Sequence, residues 1–294
     1  MKLEGIFVPN VTPFDEKGEI KYEHLADLAE FWLGAGVSGL VVNASTGEGP
    51  LLSREEKREL IEFVREKVAG RGMVITGTGA IGTRETIELT RDAKDLGADA
   101  ALVTTPFFFK PTEEELVEHF IALDAAVDLP FILYNVPKFT GYTVAPSIVD
   151  RISGECPNMV GIKDSSGNPG AMAENIRLFG DRISVLSGAA DMTLPTLALG
   201  GRGAILAVAN FIPEICVGLF RAAGMGDLEE AGKSQQLVSY VNKVLVREHP
   251  QVAAVKAALS LKGHSAGIPR RPLKPLSDLM KETILRDLQH MGLL

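Results

Sequence analysis

The 294-residue chain has only two cysteines, Cys156 and Cys216, and they lie 60 positions apart. No CxxC pair or histidine cluster accompanies either, which excludes a zinc-binding spacing and a disulfide framework. Both are read as reduced residues of a cytoplasmic protein. Basic charge is also in short supply, with 30 Lys plus Arg against 38 Asp plus Glu and a net charge of −8. That is the wrong sign for a protein whose partner is nucleic acid or an anionic membrane surface. Long apolar runs are missing as well. The longest uncharged stretch, 31–47, is 17 residues long but holds four glycines, Ser38, Asn43, Ser45 and Thr46, so no membrane span is expected. Glu4 and Pro9 interrupt the start of the chain, where a secretory signal would be continuously apolar. What remains is 46% apolar, enough to build a large core, and its expected partners are small molecules.

Eight short, nearly continuous apolar runs recur at residues 5–8, 39–44, 74–77, 100–104, 131–134, 160–163, 184–187 and 204–209. Runs of this kind, bounded by Gly or Pro, are how strands buried on both faces of a parallel sheet read. The helices between them mark their own ends. Ser53-Arg-Glu-Glu56 and Thr112-Glu-Glu-Glu115 are capping-box patterns, in which hydroxyl and acid satisfy backbone donors that the first turn leaves free. Asn168-Pro169 pairs an N-cap with proline at the first helical position, while Gly97, Gly180, Gly200 and Gly224 fall where helix C-caps belong. Leu25, Leu28, Ala29 and Trp32 keep to one helical face. Eight βα units predict a (β/α)8 TIM barrel over residues 1–224, with a doubly wound sheet as the rival. From Asp227 the strand pattern stops. Helical stretches at about 228–248, 251–262 and 275–291 then predict a C-terminal three-helix extension over 225–294.

In such a barrel, reactive groups belong where strands end and loops begin. The second strand runs into Ser45-Thr46-Gly47-Glu48, the fifth into Tyr134-Asn-Val-Pro137, and the sixth into Lys163-Asp-Ser165-Ser166-Gly167. Period-two alternation puts Lys163 on the same side as Gly161, whose missing side chain would leave room around the amine. The plainer alternative is a lysine paired with Asp164. A lysine pointing into the barrel is desolvated, which favours the neutral amine that attacks a ketone. Alternation also places Tyr134 with Ile132 on one face, beside the sixth strand, as either a core residue or a proton carrier. Ser45-Thr46-Gly47 is either a simple turn or a nest of hydroxyls and backbone donors for a small carboxylate. A second candidate, Gly77-Thr-Gly79-Ala-Ile-Gly82, matches GxGxxG. It sits on the third strand, however, and Asp99 precedes the next strand instead of ending it, against the dinucleotide reading. Gly200-Gly-Arg-Gly203 precedes the eighth strand and is read as a helix cap rather than a phosphate cradle.

Five segments in order, Gly5-Ile-Phe-Val-Pro-Asn-Val-Thr-Pro-Phe14, Ser45-Thr-Gly-Glu48, Tyr134-Asn-Val-Pro137, Gly161-Ile-Lys-Asp164 and Gly200-Gly-Arg-Gly203, resemble the N-acetylneuraminate lyase / dihydrodipicolinate synthase family over essentially the whole chain. The resemblance implies a (β/α)8 barrel, usually tetrameric, whose lysine forms an imine with pyruvate and needs no metal or organic cofactor. It makes Lys163 the imine-forming residue and Tyr134 the general acid/base. Ser45 and Thr46 become the hydroxyl pair that relays protons and grips the pyruvate carboxylate, and Ile205 the site of a backbone contact to pyruvate. Gly47, Ser165, Gly188, Phe108 and Phe139 complete the expected substrate-binding set.

The departures from the family pattern are specific. Where the synthase branch has a tyrosine pair after the fourth strand, one member of which enters the neighbouring subunit's proton relay, this chain has Phe107-Phe108-Phe109. Phe139 stands where the synthase has an arginine for its second substrate's carboxylate. Lys138 is adjacent, but in a locally extended loop it would point elsewhere. Leu206 replaces a serine, and Ala190 stands where a sialic-acid lyase would want an acid. Phe139-Thr-Gly-Tyr142 and Asn210-Phe-Ile-Pro213 look most like the archaeal 2-keto-3-deoxygluconate aldolases. The expected activity is therefore a class I pyruvate aldolase acting on a 2-keto-3-deoxy sugar acid, with pyruvate and an aldehyde as small-molecule partners in a cytoplasmic homotetramer. The alternatives are a dihydrodipicolinate synthase condensing pyruvate with aspartate semialdehyde, and a catalytically silent pyruvate-binding relative. Retention of Lys163, Tyr134 and Thr46 weighs against the silent one.

Overall fold

The computed structural model describes residues 2–294. Strands β1 (Gly5–Val8), β2 (Gly39–Val42), β3 (Met73–Gly77), β4 (Ala100–Thr104), β5 (Phe131–Asn135), β6 (Met159–Asp164), β7 (Ser184–Ser187) and β8 (Gly203–Ile205) close into one barrel in chain order. All eight pairings are parallel, so this is the (β/α)8 arrangement and not a doubly wound sheet. Near-continuous burial along each strand has two causes. One set of side chains, including Leu3, Phe7, Val41, Ile75, Leu102, Ile132, Leu186 and Ile205, fills the barrel. The alternate set packs outward against the helices, with Trp32 fully buried there.

The helical punctuation acts as expected. Ser53 and Thr112 each accept a backbone N–H three residues on, at 3.2 and 3.3 Å, while Glu56 and Glu115 accept the capping residue's own N–H at 2.8 and 2.7 Å. Asn168 caps helix Pro169–Phe179. Among the glycines expected to end helices, Gly97 and Gly200 take positive φ. Gly224 instead is the last residue of helix Pro213–Gly224, and Gly226 makes the turn.

Two runs are longer in sequence than the strands they contain: 39–44 leaves the sheet after Val42, and the last run departs further. Residues 204–209 leave the sheet after Ile205 and curl into a short 3-10 turn, Ala207–Asn210. Asn210 causes this: its side chain accepts the Val11 N–H at 3.1 Å and donates to the carbonyls of Pro9 and Ala207, each at 3.0 Å. Beyond the barrel, helices Leu228–Asn242, Gln251–Leu261 and Asp278–His290 follow. The first widens into a π-helical turn over Lys243–Arg247, a local geometry that often re-aims side chains at functional sites. Among the described residues, no helix is long and apolar enough to cross a membrane.

Candidate active site

Strands β5 and β6 pair in register, with Tyr134 opposite Lys163 and Asn135 opposite Asp164. The alternation that sends Tyr134 and Lys163 into the barrel therefore sends Asn135 and Asp164 out. Both inward residues are buried, and Lys163 Nζ stands 4.0 Å from the centroid of the Tyr134 ring. Asp164 accepts from Asn135 at 3.0 Å, from the Ser166 N–H at 2.8 Å and from Asn175 at 3.3 Å. Burial raises its pKa against those hydrogen bonds. It is the anchor of an outer polar network, so the simple Lys163–Asp164 pairing is not the arrangement found.

Around Tyr134 the effects oppose one another. Burial alone pushes the phenol up, but the Lys163 ammonium together with Ser45, Ser165 and Lys163 as hydrogen-bonding partners outweighs it, and the net shift is downward. A phenol biased toward its anion beside an amine is a group able to give and take protons.

The room around Lys163 comes from a different glycine than alternation suggested. A Cβ on Gly161 would meet Ser184 O at 2.9 Å and Leu3 Cδ1 at 3.4 Å, so that position makes room for packing in the barrel interior. A Cβ on Gly188 would stand 2.0 Å from Ser165 Oγ and 2.9 Å from Lys163 Cε. Gly188, immediately after β7, is what lets the lysine stem and the Ser165 hydroxyl occupy one space.

Lys163, Tyr134, Ser45, Thr46, Ser165, Gly188, Ile205 and Phe139 all line one cavity of about 440 Å³ at the C-terminal end of the barrel. Two expected members do not. Gly47 is buried beneath the cavity, where a Cβ would meet Asn10 O at 2.6 Å; its role is to let the loop pass close to that carbonyl. Phe108 adopts φ 74°, which turns it outward, and it is 83% exposed. Lys138 is a third correction. Residues Pro137–Thr140 form a short helical turn rather than an extended loop, because proline at the first position presets φ for it. Lys138 and Phe139 thus both face the cavity.

The mouth holds residues that the sequence reading passed over. Asp191, Asn242, Arg247 and Gln251 line it. Asp191 accepts from Asn242 at 2.9 Å and from the Arg247 guanidinium. Gln251 donates to Thr46 Oγ1 at 3.3 Å and accepts from Lys138 Nζ at 3.5 Å. Asp191 directly follows Ala190, so an acid is present one position from where it was sought. The other three come from the C-terminal extension, and nothing local in the sequence signals their approach.

The GxGxxG match has a steric explanation. A Cβ on Gly77 would lie 2.4 Å from Asn43 O, and one on Gly79 would lie 2.4 Å from Thr104 N, so those glycines serve close packing against neighbouring backbone. Among the described residues, no group of three or more His, Cys, Asp or Glu is placed to hold a metal ion.

The site as built brings together a lysine amine, a phenol, a hydroxyl pair and a charged mouth. The sequence profile of the dihydrodipicolinate synthetase family matches residues 2–291. A 4-hydroxy-tetrahydrodipicolinate synthase of Maridesulfovibrio salexigens is 37% identical over 294 residues, all of both chains. The crystal structure of dihydrodipicolinate synthase from Aquifex aeolicus superposes with a TM-score of 0.94 at 37% identity, covering 99% of each chain. The prophage protein YagE of E. coli K12, of the dihydrodipicolinic acid synthase family and solved in complex with pyruvate, gives 0.96 at 32% identity, again with 99% of each covered.

Proposed function

Because the chain belongs to the dihydrodipicolinate synthetase family, a family of aldolase-class enzymes, we propose that it joins pyruvate to aspartate semialdehyde through an imine on Lys163. The observation that carries the chemistry is Lys163 Nζ at 4.0 Å from the Tyr134 ring inside a cavity lined by Ser45 and Thr46. Lys163 Nζ adds to the ketone carbon of pyruvate, and the carbinolamine loses its hydroxyl as water with a proton from Tyr134. The Tyr134 phenolate then takes a methyl proton as the protonated imine draws the electrons, giving an enamine, and it returns that proton in the next step. The enamine carbon bonds to the aldehyde carbon, the aldehyde oxygen takes a proton, and hydrolysis returns the free amine. Thr46 and Ser45 hold the pyruvate carboxylate. The imine itself is the electron sink, so this route calls for no metal or organic cofactor.

The sequence alone favoured a 2-keto-3-deoxy sugar acid. Two findings favour the synthase reaction instead. The similar curated proteins carry that name, and the cavity contains Lys138 and Arg247, so Phe139 does not leave it without a cation for a second carboxylate. The sugar-acid reading keeps one observation of its own: Asp191 at the mouth is an acceptor for the hydroxyls of a polyol tail.

Phe108 and Phe109 are 83% and 73% exposed and stacked edge-on at 5.0 Å. Such an exposed aromatic pair is a surface suited to contact with another protein surface, which supports self-association, with a homotetramer as the form the family resemblance implies. Two free, buried cysteines suit a reducing, cytoplasmic setting.

The test is reductive trapping. Pyruvate with borohydride should add one reduced adduct, mapped to the peptide containing Lys163, and Lys163→Ala should add none. An adduct of unchanged yield in Lys163→Ala overturns the assignment.

A further inference from the structure

We propose that helix Gln251–Leu261 of the C-terminal extension positions the Thr46 hydroxyl, directly through Gln251 and indirectly through a buried latch between Lys256 and Glu48. The inference rests on the reading that Thr46 grips the pyruvate carboxylate.

The latch lies immediately beneath the candidate site. Glu48 is two residues after Thr46 and holds φ 60°, a left-handed conformation uncommon for a residue with a side chain. Its carboxylate accepts from Lys256 Nζ at 2.6 Å and from the backbone N–H of Arg270 at 2.7 Å. Lys256 Nζ also donates to Ile268 O at 2.8 Å and lies 4.6 Å from the Phe14 ring centroid. The two side chains are 1% and 0% exposed. Nothing in this geometry is available to solvent or to substrate, so the pair has no direct chemical role.

Stability does not explain it either. A buried ion pair gives up so much hydration that apolar residues of similar volume commonly stabilise as well or better. What a buried pair does provide is a unique register, because displacement leaves a charge uncompensated. Here the register that it fixes is that of the segment Ser45–Glu48 against the extension.

The same helix reaches the site at its first residue. Gln251 precedes Lys256 by five positions, about one and a half turns, and donates to Thr46 Oγ1 at 3.3 Å. From the other side, Thr12 Oγ1 donates to Gly47 O at 2.7 Å. Thr46 is therefore bracketed: Gln251 orients its hydroxyl, and the latch holds the backbone two residues later. Gln251, Lys256 and Glu48 are positioning residues, and the extension is a working part of the site.

The experiment measures steady-state constants for both substrates in Lys256→Met and Gln251→Leu, with thermal melting alongside. The expected result is a rise in the KM for pyruvate of about tenfold, with the KM for the aldehyde within about twofold. Gln251 is only half-buried and carries no charge, so Gln251→Leu keeps the question decidable if Lys256→Met does not fold. A purely structural role would lower the melting temperature and leave pyruvate KM in the folded protein unchanged; that outcome overturns the proposal. Wild-type protein that traps no pyruvate overturns both this inference and the imine reading. Trapping in wild type with unaltered pyruvate KM in the variants overturns this inference alone.

Discussion

Gly188 and Lys163 share one space: a Cβ on residue 188 would stand 2.9 Å from Lys163 Cε and 3.1 Å from its Cγ. The atoms in the way belong to side chains, including Ser165 Oγ at 2.0 Å, so the barrel can accept Gly188→Ala by moving them. What moves is the stem of Lys163, the amine proposed to form the imine. Gly188→Ala should therefore melt close to wild type yet lose about 10- to 100-fold in kcat, the cost of displacing a nucleophile by a fraction of an ångström to 1 Å. Circular dichroism melting and turnover on the best substrate pair check it. Wild-type turnover would mean that Lys163 has more freedom than the packing allows.

Tyr134→Phe keeps the ring against Lys163 and removes only the hydroxyl. Borohydride trapping of pyruvate should survive in reduced yield, while turnover falls by about 10²- to 10⁴-fold, the usual share of acid–base catalysis. Equal turnover in the two proteins would return Tyr134 to the barrel core as a packing residue.

Much of the fold was legible because the signals were local. Capping boxes, Pro and Gly at helix ends, and apolar runs each act within a few residues, and together they marked all eight strands to within a few positions. Lys163 and Tyr134 were legible because side-chain alternation in a strand has a fixed period. Lys138 was misplaced because Pro137 nucleates a helical turn, for which alternation is the wrong rule. Arg247 and Gln251 were missed for another reason: they approach Asp191 and Thr46 across 56 and 205 positions of sequence, and no spacing rule spans that distance. Phe108 was placed in the site by resemblance alone, and nothing local in the sequence signals that φ 74° turns it out of the cavity.

His119, on helix Glu113–Ala126, gives a prediction about acid stability. Its Nδ1 lies 2.9 Å from Thr83 Oγ1, the rest of the ring is buried, and burial lowers its pKa from 6.5 to about 4. Between those values the unfolded chain holds a proton that the native protein refuses. Stability is therefore fully present above about pH 6.5 and is lost as pH falls toward 4, by a total of about 3 kcal/mol from this group. Urea midpoints at several pH values should fall more steeply over this range in wild type than in His119→Leu. Parallel curves would show that the imidazole is accessible enough to protonate in the folded state.

The charged mouth separates the two substrate readings. Lys138 and Arg247 face the cavity, and Arg247 is tied to Asp191. If the acceptor aldehyde carries a carboxylate, each cation contributes a charge-assisted hydrogen bond, typically 1.5–3 kcal/mol, or about tenfold to 100-fold in binding. Arg247→Met should be the more damaging change, because it also leaves the Asp191 carboxylate uncompensated beside the incoming anion. The KM for aspartate semialdehyde should rise by at least about tenfold in Arg247→Met and by less in Lys138→Met, with pyruvate KM unchanged in both. Asp191→Asn should act in the opposite sense, since it frees the guanidinium and removes the repelling charge. For a neutral polyol tail the order reverses: Asp191→Asn loses an acceptor and weakens cleavage of a 2-keto-3-deoxy acid, while the two cation variants change little. The ratio of kcat/KM for the two substrates in wild type decides the matter first. A preference for the sugar acid of more than about tenfold, a difference of roughly 1.4 kcal/mol in transition-state stabilisation, would replace the synthase reading with the aldolase one and make Asp191 the residue that selects the substrate.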